Sequence, residues 1–294
     1  MAAKKTTKRA PTVKDIAPKG KGTLVIVGGH EDKEGDKKIL QLIADQAKGK
    51  KLVVATVATA EPEETWQEYR ALFTELGVQT IEHLDVQTRE QALSEECSRY
   101  LADAAAVFFT GGDQLKITSQ LGDSMVYRQL HLILERGGTV AGTSAGASVM
   151  STTMLISGPG DQSPEVQDAI RMAPGFGFLP DAVIDQHFAE RGRVGRLLAA
   201  IAQNPRLLGI GIDEDTAILV HGNEQFEVVG NGSVYVLDAS QVSYSNLTET
   251  ELEARLTTFD VKLHLLSEGY RYDLQNRRPC MPAPKDKVQK NGSK

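Results

Sequence analysis

The sequence predicts an α/β protein, a three-layer sandwich in which a mainly parallel sheet is covered by helices on both faces. Short runs that are nearly all apolar recur along the chain, as expected for strands buried on both sides. Amphipathic stretches of helical period separate several of these runs. After residue 207 the pattern becomes strand-rich, which predicts extra strands at the C-terminal end.

The predicted strands follow one another at intervals that leave room for connecting helices. In chain order they are Leu24–Val27, Leu52–Val57, Ala104–Phe109, Thr139–Ala141, Val183–Ile184 and Leu207–Ile212. Apolar stripes within 39–47, 126–134 and 194–201 predict helices between them. The C-terminal strands are Ala217–Val220, Gln225–Val229 and Ser233–Leu237, and Asn231-Gly232 predicts a turn between the last two.

Composition predicts one domain flanked by two polar tails. Residues 1–20 are rich in lysine, and residues 277–294 are polar with three prolines. We expect both tails to be disordered and residues 21–276 to form a single α/β domain. The N-terminus lacks the apolar core of a signal peptide, and no segment has the roughly 20 apolar residues that cross a bilayer. We therefore expect a cytoplasmic protein with no membrane partner.

Charge and cysteine content narrow the classes of function. The formal net charge of −6 argues against a nucleic-acid partner, because binding to phosphates requires a basic surface. The two cysteines, Cys97 and Cys280, are too few for a disulfide framework or a zinc cluster. We expect no metal and no cofactor.

The sharpest motif is Gly142-Thr143-Ser144-Ala145-Gly146, a G-x-S-x-G sequence between a predicted strand and a helix-like segment. In that setting glycines permit a tight turn that exposes the serine, and the next amide points at a developing oxyanion. We predict Ser144 as the nucleophile and the Ala145 N–H as an oxyanion donor. The alternatives are a packing turn and a phosphate-binding loop, although the lysine of a P-loop is missing.

A second oxyanion donor is expected from the loop that ends a neighbouring strand. Thr110-Gly111-Gly112 follows the run Ala104–Phe109, and the Gly112 N–H is the candidate. The alternative is a simple glycine turn.

His187 is the predicted general base. It follows the run Val183–Ile184, and ligands of open parallel sheets bind at the carboxyl ends of the strands. Imidazole titrates near neutral pH, as a base for serine must. A capping or core histidine is the alternative, and His30, after the first strand, is a second histidine that could line the site. The acid that orients the imidazole stays open on spacing alone: Glu214, Asp213, Asp215 or Asp161.

Three arginines follow the proposed base. Arg191, Arg193 and Arg196 adjoin His187, although a charge cluster on a helix is more often its solvated side. Guanidinium groups bind carboxylates in a bidentate manner, so the cluster predicts an anionic group on the substrate.

Taken together, these motifs resemble the cyanophycinase family. The resemblance is carried by Gly111-Gly112-Asp113-Gln114, Gly142–Ala147, Asp185-Gln186-His187-Phe188 with the three arginines, and Gly211-Ile212-Asp213-Glu214, from Gly22 to about Tyr272. It implies a serine peptidase related to the aspartyl dipeptidases, with the flavodoxin-like fold of class I glutamine amidotransferases. It also implies a triad of Ser144, His187 and Glu214.

The family implies a substrate and substrate-binding residues as well. The substrate is cyanophycin, a polyaspartate backbone with arginine on each side-chain carboxyl, and the products are β-aspartyl-arginine dipeptides. The implied substrate contacts are Gln114, Asp185, Gln186, Arg191, Arg193 and Arg196. Family members are typically homodimers that use no metal. An α-aspartyl dipeptidase, or a binding protein that kept the fold, are the competing interpretations.

Overall fold

A computed structural model describes residues 22–157, 170–222, 224–247 and 255–282. Its central sheet contains five parallel strands: β1 (Thr23–Val27), β2 (Lys51–Ala55), β3 (Thr80–Leu84), β4 (Ala104–Phe109) and β5 (Thr139–Thr143). Their order across the sheet is β1-β5-β4-β2-β3. The apolar pattern of the sequence does not predict β3, because this edge strand is only partly buried and its residues TIEHL include two charged or polar side chains besides threonine.

Helices cover both faces of this sheet. They are α1 (Lys38–Gln46), α2 (Pro62–Glu75), α3 (Arg89–Leu93), α4 (Glu95–Tyr100), α5 (Gln114–Leu121) and α6 (Met125–Glu135). Val25 and Val27 of β1 pack with α1 and α2, whereas Leu24 and Ile26 pack with α5 and α6. Successive side chains of a strand point to opposite faces, so this division confirms the predicted three-layer sandwich.

Local sequence fixes where the helices begin. Pro62 opens α2, with Glu63 and Glu64 in a first turn that favours negative charge. Asp113 caps α5 by accepting the Leu115 amide, and Ser124 caps α6 by accepting that of Tyr127. No helix of the described ranges has the length and apolar character needed to cross a membrane.

The middle of the chain runs from the central sheet into a second one. A short helix α7 (Ala145–Ser148) follows β5, and β6 (Thr153–Ser157) then pairs with β7 (Arg171–Pro174). Next come β8 (Ala182–Gln186), α8 (Val194–Gln203) and β9 (Leu208–Ile212).

The C-terminal strands are divided between the two sheets. They are β10 (Thr216–His221), β11 (Gln225–Gly230), β12 (Val234–Asp238), β13 (Tyr244–Ser245), β14 (Thr258–Phe259), β15 (Lys262–Leu266), β16 (Arg271–Asp273) and β17 (Arg278–Cys280). Antiparallel β10, β11, β16 and β17 extend the central sheet beyond β1, so the extra C-terminal strands are confirmed. In the described ranges a second sheet has the order β15-β12-β9-β8.

This second sheet corrects the expectation of one sheet for all the apolar runs. Both β8 and β9 are buried along their whole length, as strands of the central sheet are, so their sequences cannot tell which sheet they join. Asn231-Gly232 likewise closes no hairpin between β11 and β12, which lie in different sheets. Instead the Asn231 amide donates to the Asp215 carbonyl oxygen where the chain crosses between them.

The folded region extends beyond residue 276. Strand β17 pairs with β16, and Arg277 Nη1 donates to the buried Asp238 carboxylate at 2.7 Å. Pro279 is tolerated because β17 is an edge strand. Residues 277–282 therefore do not belong to the predicted C-terminal tail, and 1–21 and 283–294 lie outside the described residues.

Candidate active site

Ser144 occupies a strained turn at the carboxyl end of β5. Its backbone has φ 52° and ψ −110°, a conformation that residues other than glycine rarely adopt. The flanking glycines are required sterically, because a Cβ on Gly142 would lie 2.5 Å from the Gly146 carbonyl oxygen. A Cβ on Gly146 would lie 2.5 Å from the Phe109 carbonyl oxygen. The strand, tight turn and helix that the motif predicts are thus all present.

His187 comes from the second sheet and reaches this serine. It follows β8 directly, and its amide donates to the Gly28 carbonyl oxygen at 2.8 Å, which ties the end of β8 to the end of β1. The Nε2 atom lies 2.9 Å from Ser144 Oγ, within proton-transfer distance. Gly29 makes this approach possible, since a Cβ there would meet the imidazole at 2.3 Å.

Glu214 is the member of the acidic triplet that contacts the imidazole. It lies between β9 and β10, and its Oε1 is 2.6 Å from His187 Nδ1. Asp213 instead accepts the amides of Ala189 and Ser233, and Asp215 accepts the Asp32 amide. Asp161, the fourth candidate, lies outside the described residues.

His30 contacts the other oxygen of the same carboxylate. Its Nδ1 is 2.8 Å from Glu214 Oε2, and its ring stands edge-on to that of His187. The position of His30 after the first strand predicts that it lines the site but indicates no partner, because the pairing depends on how the β1 loop folds over the second sheet.

The electrostatics favour a neutral imidazole beside an ionised carboxylate. Burial lowers the pKa of His187 below its usual value, with Arg191 adding to the effect, although the hydrogen bond to Glu214 opposes it. Burial alone would raise the pKa of Glu214, but hydrogen bonds from His187 and His30 bring that pKa below its usual range. At neutral pH His187 is therefore able to accept a proton, and Glu214 is able to hold the imidazolium that results.

This pKa shift predicts the acid limb of the pH–activity profile. A base must be deprotonated to act. As the pH falls, kcat/KM should therefore stay on its plateau until the pH approaches the lowered pKa of His187. The half-maximal point is therefore expected below the unperturbed imidazole value of about 6.5. Initial rates between pH 4.5 and 8 measure it, with circular dichroism as the control for folding. A midpoint above that value would contradict the neutral-base assignment.

The two proposed oxyanion donors adjoin the serine. The loop after β4 runs beside it, since a Cβ on Gly111 would lie 3.4 Å from Ser144 Cβ. Gly112 has φ 137°, a conformation available to glycine, and lines the same cavity as Ser144. Within the described part of the chain, neither the Gly112 nor the Ala145 amide donates a hydrogen bond to another residue. Both remain candidates to bind a negative oxygen.

A cavity of about 710 Å³ opens over the serine. Its described walls come from the β1 loop, helix α2, the ends of β4 and β5, and the segment from His187 to Arg191. The lining residues are His30, Glu31, Asp32, Lys33, Glu34, Tyr69, Gly111, Gly112, Thr143, Ser144, His187 and Arg191. This volume is typical of a small-ligand site, and its charged rim suits a substrate that carries charges of both signs.

Glu31 is a buried carboxylate in this wall that sequence analysis did not assign. It accepts the Tyr69 and Thr143 hydroxyls, each at 2.5 Å, and so connects α2 to the last residue of β5. Burial, together with the nearby Glu31 charge, raises the pKa of Tyr69 well above its usual value. The signal in the sequence was its place two residues after Gly29 in the β1 loop.

Arg191 is the one of the six predicted substrate contacts found among the described lining of the cavity. Its amide donates to the His187 carbonyl oxygen at 3.2 Å, so one turn of chain separates it from the base. Its side chain is exposed.

Arg193, Arg196 and Asp185 form a buried ion cluster instead. Arg193 Nη1 and Arg196 Nε lie 3.1 Å and 2.8 Å from the two Asp185 carboxylate oxygens. Arg193 Nη1 also donates to both oxygens of Gln186, at 2.6 Å and 2.7 Å. These four side chains are buried and bonded to one another, and they are not among the described lining of the cavity, so their contact with substrate stays a prediction.

Gln114 is not among the described lining of the cavity either. Its side-chain amide donates to the Leu155 carbonyl oxygen at 2.9 Å, which joins the start of α5 to β6. Residues 158–169, which follow β6, lie outside the described ranges.

An α/β fold in which a serine is hydrogen-bonded to a histidine, and that histidine to a glutamate, is typical of serine hydrolases. The chain therefore belongs to that class. Within that class the chain belongs to Peptidase family S51, whose pattern matches residues 23–228. It is 36% identical over 262 residues to the cyanophycinase of Geminocystis herdmanii (strain PCC 6308), a match covering 88% of this chain and 96% of the relative. It is also 36% identical over 267 residues to the cyanophycinase of Nostoc sp. (strain PCC 7120), covering 90% and 89% of the two chains.

A solved structure supports the fold. The chain is similar to a peptidase from an acI-B1 actinobacterium, with a TM-score of 0.62 and 23% identity over 84% of this chain and 99% of the other. The predicted glutamine-amidotransferase-like architecture and the resemblance to cyanophycinases are both confirmed.

Proposed function

We propose that this protein is a serine exopeptidase that hydrolyses the polyaspartate backbone of cyanophycin and releases β-aspartyl-arginine dipeptides. The observation that carries the proposal is the hydrogen-bonded series Ser144–His187–Glu214 at the base of an open cavity. The similarity to cyanophycinases over nearly nine-tenths of the chain supports the choice of substrate.

In the first half-reaction Ser144 forms an acyl-enzyme. Its Oγ attacks the scissile backbone carbonyl while His187 Nε2 takes its proton, and Glu214 Oε1 stabilises the imidazolium through Nδ1–H. The amides of Gly112 and Ala145 bind the oxygen that becomes negative. His187 then passes the proton to the leaving amine, and the peptide bond breaks.

In the second half-reaction water replaces the amine. His187 Nε2 removes a proton from the water, the resulting hydroxide attacks the ester carbonyl, and Ser144 Oγ leaves with the proton from His187. The enzyme returns to its starting state with the imidazole neutral. The depressed His187 pKa suits both steps, because neutral imidazole is required at the start of each.

Each unit of the substrate presents a free arginine carboxylate and a guanidinium. Arg191 is the exposed cation of the described cavity wall that adjoins the base, and a bidentate guanidinium–carboxylate pair there would orient the substrate. The cavity lining also contains the acidic residues Glu31, Asp32 and Glu34 of the β1 loop, whose negative charge suits the substrate guanidinium.

Arg191→Ala should therefore weaken substrate binding more than it slows the chemical step. Loss of a charge-assisted hydrogen bond costs about 1.5–3 kcal/mol, so KM is expected to rise roughly ten- to hundredfold with kcat changed less. Steady-state kinetics on soluble β-aspartyl-arginine oligomers measure it. Arg206→Ala, at an exposed arginine paired with Asp181, is the matched control. Equal KM values for the two variants would rule out this role for Arg191.

In this proposal the buried cluster of Asp185, Arg193 and Arg196 positions His187. Arg193 and Arg196 neutralise Asp185 on the strand that ends at His187, and Arg193 also holds Gln186. They would act through the placement of the imidazole.

Parallel assays test the substrate assignment. Purified protein is incubated with insoluble cyanophycin and, separately, with an α-aspartyl dipeptide, and the products are identified by mass spectrometry. We expect the polymer suspension to clear with release of β-aspartyl-arginine. Cleavage of the α-aspartyl dipeptide alone would favour an aspartyl dipeptidase, and binding of the polymer without hydrolysis would favour a binding protein.

We also propose a homodimer and a cytoplasmic location. Leu263 and Leu265 are more than half exposed on β15, the edge strand of the second sheet, and such apolar surface favours association. Light scattering should give twice the chain mass, and a monomer at micromolar concentration would refute the dimer. Fractionation of the source cells tests the location.

A further inference from the structure

The active site contains a second histidine, His30, which is not part of the proposed triad. The Glu214 carboxylate lies between two imidazoles, with Oε1 2.6 Å from His187 Nδ1 and Oε2 2.8 Å from His30 Nδ1. One ligand-type atom from each of these three side chains lies within 4.8 Å of the other two. The His30 side chain is 72% exposed, so the group opens to solvent.

We propose that His30, His187 and Glu214 form a Zn²⁺ site whose occupation inhibits the hydrolase. Two imidazole nitrogens and one carboxylate oxygen form a ligand set that zinc uses when water completes its coordination. The hard cations Ca²⁺ and Mg²⁺ prefer oxygen-only surroundings, so they fit this group poorly. The inhibitory part of this inference rests on the proposed function, whereas the binding part does not.

Small movements convert the hydrogen-bonded group into a metal site. Zinc binds nitrogen and oxygen at about 2.0–2.2 Å, so tetrahedral neighbours lie roughly 3.3 Å apart. The nitrogen–oxygen distances, now 2.6 Å at His187 and 2.8 Å at His30, must therefore open by about 0.7 Å and about 0.5 Å. His187 is held by its backbone hydrogen bond to Gly28 and by the chain at Gly29. His30 is exposed, so it and the Glu214 carboxylate are the groups that move.

Coordination would place His187 in the wrong tautomer. A metal on Nδ1 requires the lone pair of that atom, so the neutral ring carries its proton on Nε2. Nε2–H then donates to Ser144 Oγ, 2.9 Å away, and the imidazole has no free lone pair to accept the serine proton. The Glu214 carboxylate, bound to the ion, no longer accepts a hydrogen bond from His187 Nδ1–H. The ion lies on the far side of the imidazole from the serine, so it should lower kcat more than it raises KM.

Calorimetry on an inactive protein tests binding apart from catalysis. Ser144→Ala keeps all three ligands, and titration with ZnCl₂ in a non-chelating buffer is expected to show one ion per chain with micromolar affinity. Adding His30→Asn should weaken binding at least tenfold. Asparagine tolerates the left-handed backbone of residue 30, where φ is 46°, and retains a hydrogen-bond donor for Glu214. His221→Ala, at an exposed histidine bonded to Thr23, is the matched control and should not change binding.

Kinetics on the active protein test the consequence. Micromolar Zn²⁺ should lower the kcat of the wild-type chain, EDTA should restore it, and His30→Asn should need at least tenfold more Zn²⁺ for half-inhibition. Equal zinc affinity with and without His30, or a bound ion that leaves kcat unchanged, would overturn the proposal. Absence of hydrolysis in every zinc-free assay would instead refute the proposed function, while the calorimetric result would still decide whether the site exists.

Discussion

Ser144→Ala is expected to lower kcat on cyanophycin by roughly 10⁴–10⁶-fold, the range seen when the nucleophile of a hydrogen-bonded triad is removed. The methyl group cannot form the acyl-enzyme, and His187 has no hydroxyl to deprotonate. Substrate affinity should stay within a few-fold, because the cavity wall and Arg191 are untouched. Release of dipeptide measures kcat, and co-sedimentation with insoluble polymer measures binding.

Ser119→Ala is the matched control for this variant. Ser119 is an exposed serine on α5 whose hydroxyl bonds only to its own helix in the described structure, so its loss should leave kcat within twofold. If Ser144→Ala retained more than about a hundredth of wild-type kcat, the nucleophile would have to be another group.

Asp185→Asn is expected to have the largest effect on folding, a loss of about 3–5 kcal/mol in the free energy of unfolding. Asp185 is 1% exposed and neutralises two buried arginines, Arg193 and Arg196. Asparagine has nearly the same shape but no charge, so both guanidinium groups would stay buried without a counter-ion. Urea unfolding followed by circular dichroism measures the change.

Asp181→Asn provides the comparison on the surface. Asp181 pairs with Arg206, and both side chains are more than half exposed, so the expected loss is about 0–1 kcal/mol. Equal losses for the two variants would mean that the Asp185 cluster is not a buried electrostatic unit.

The nucleophile turn was predictable because all its determinants are local. Glycines on both sides of Ser144, a strand before it and a helix after it lie within ten residues, and each has a steric or hydrogen-bonding reason that a short sequence expresses. The buried parallel strands β1, β2, β4 and β5 were predictable for the same reason, since nearly all-apolar runs indicate strands buried on both faces, whereas the partly exposed β3 was not.

The sequence did not predict which segments that are distant along the chain come into contact in the fold. His187 was expected on a strand of the central sheet but follows β8 of the second sheet, because burial on both faces does not say which sheet a strand joins. The choice of Glu214 over its neighbours depends on side-chain direction in a three-residue turn. Spacing left that choice open, whereas the family resemblance named the residue that the structure places at His187.

The arginine cluster shows the same limit in another form. Arg191, Arg193 and Arg196 are alike in sequence, yet the first lines the cavity and the other two are buried on Asp185. Arg191 lies in the turn after His187, whereas Arg193 is the N-cap residue of α8 and Arg196 lies on the buried face of that helix. The sequence predicted the charges near the base but not which of them are exposed to solvent.

Labelling with a serine-directed phosphonate or sulfonyl fluoride tests the central claim most directly. The claim is that the Ser144 hydroxyl is activated by the His187 imidazole in the folded chain. We expect peptide mass spectrometry to find one adduct per chain, on Ser144, lost on unfolding and strongly reduced in His187→Ala. A folded wild-type protein that acquires no adduct at Ser144, or labels equally well without His187, would contradict the claim.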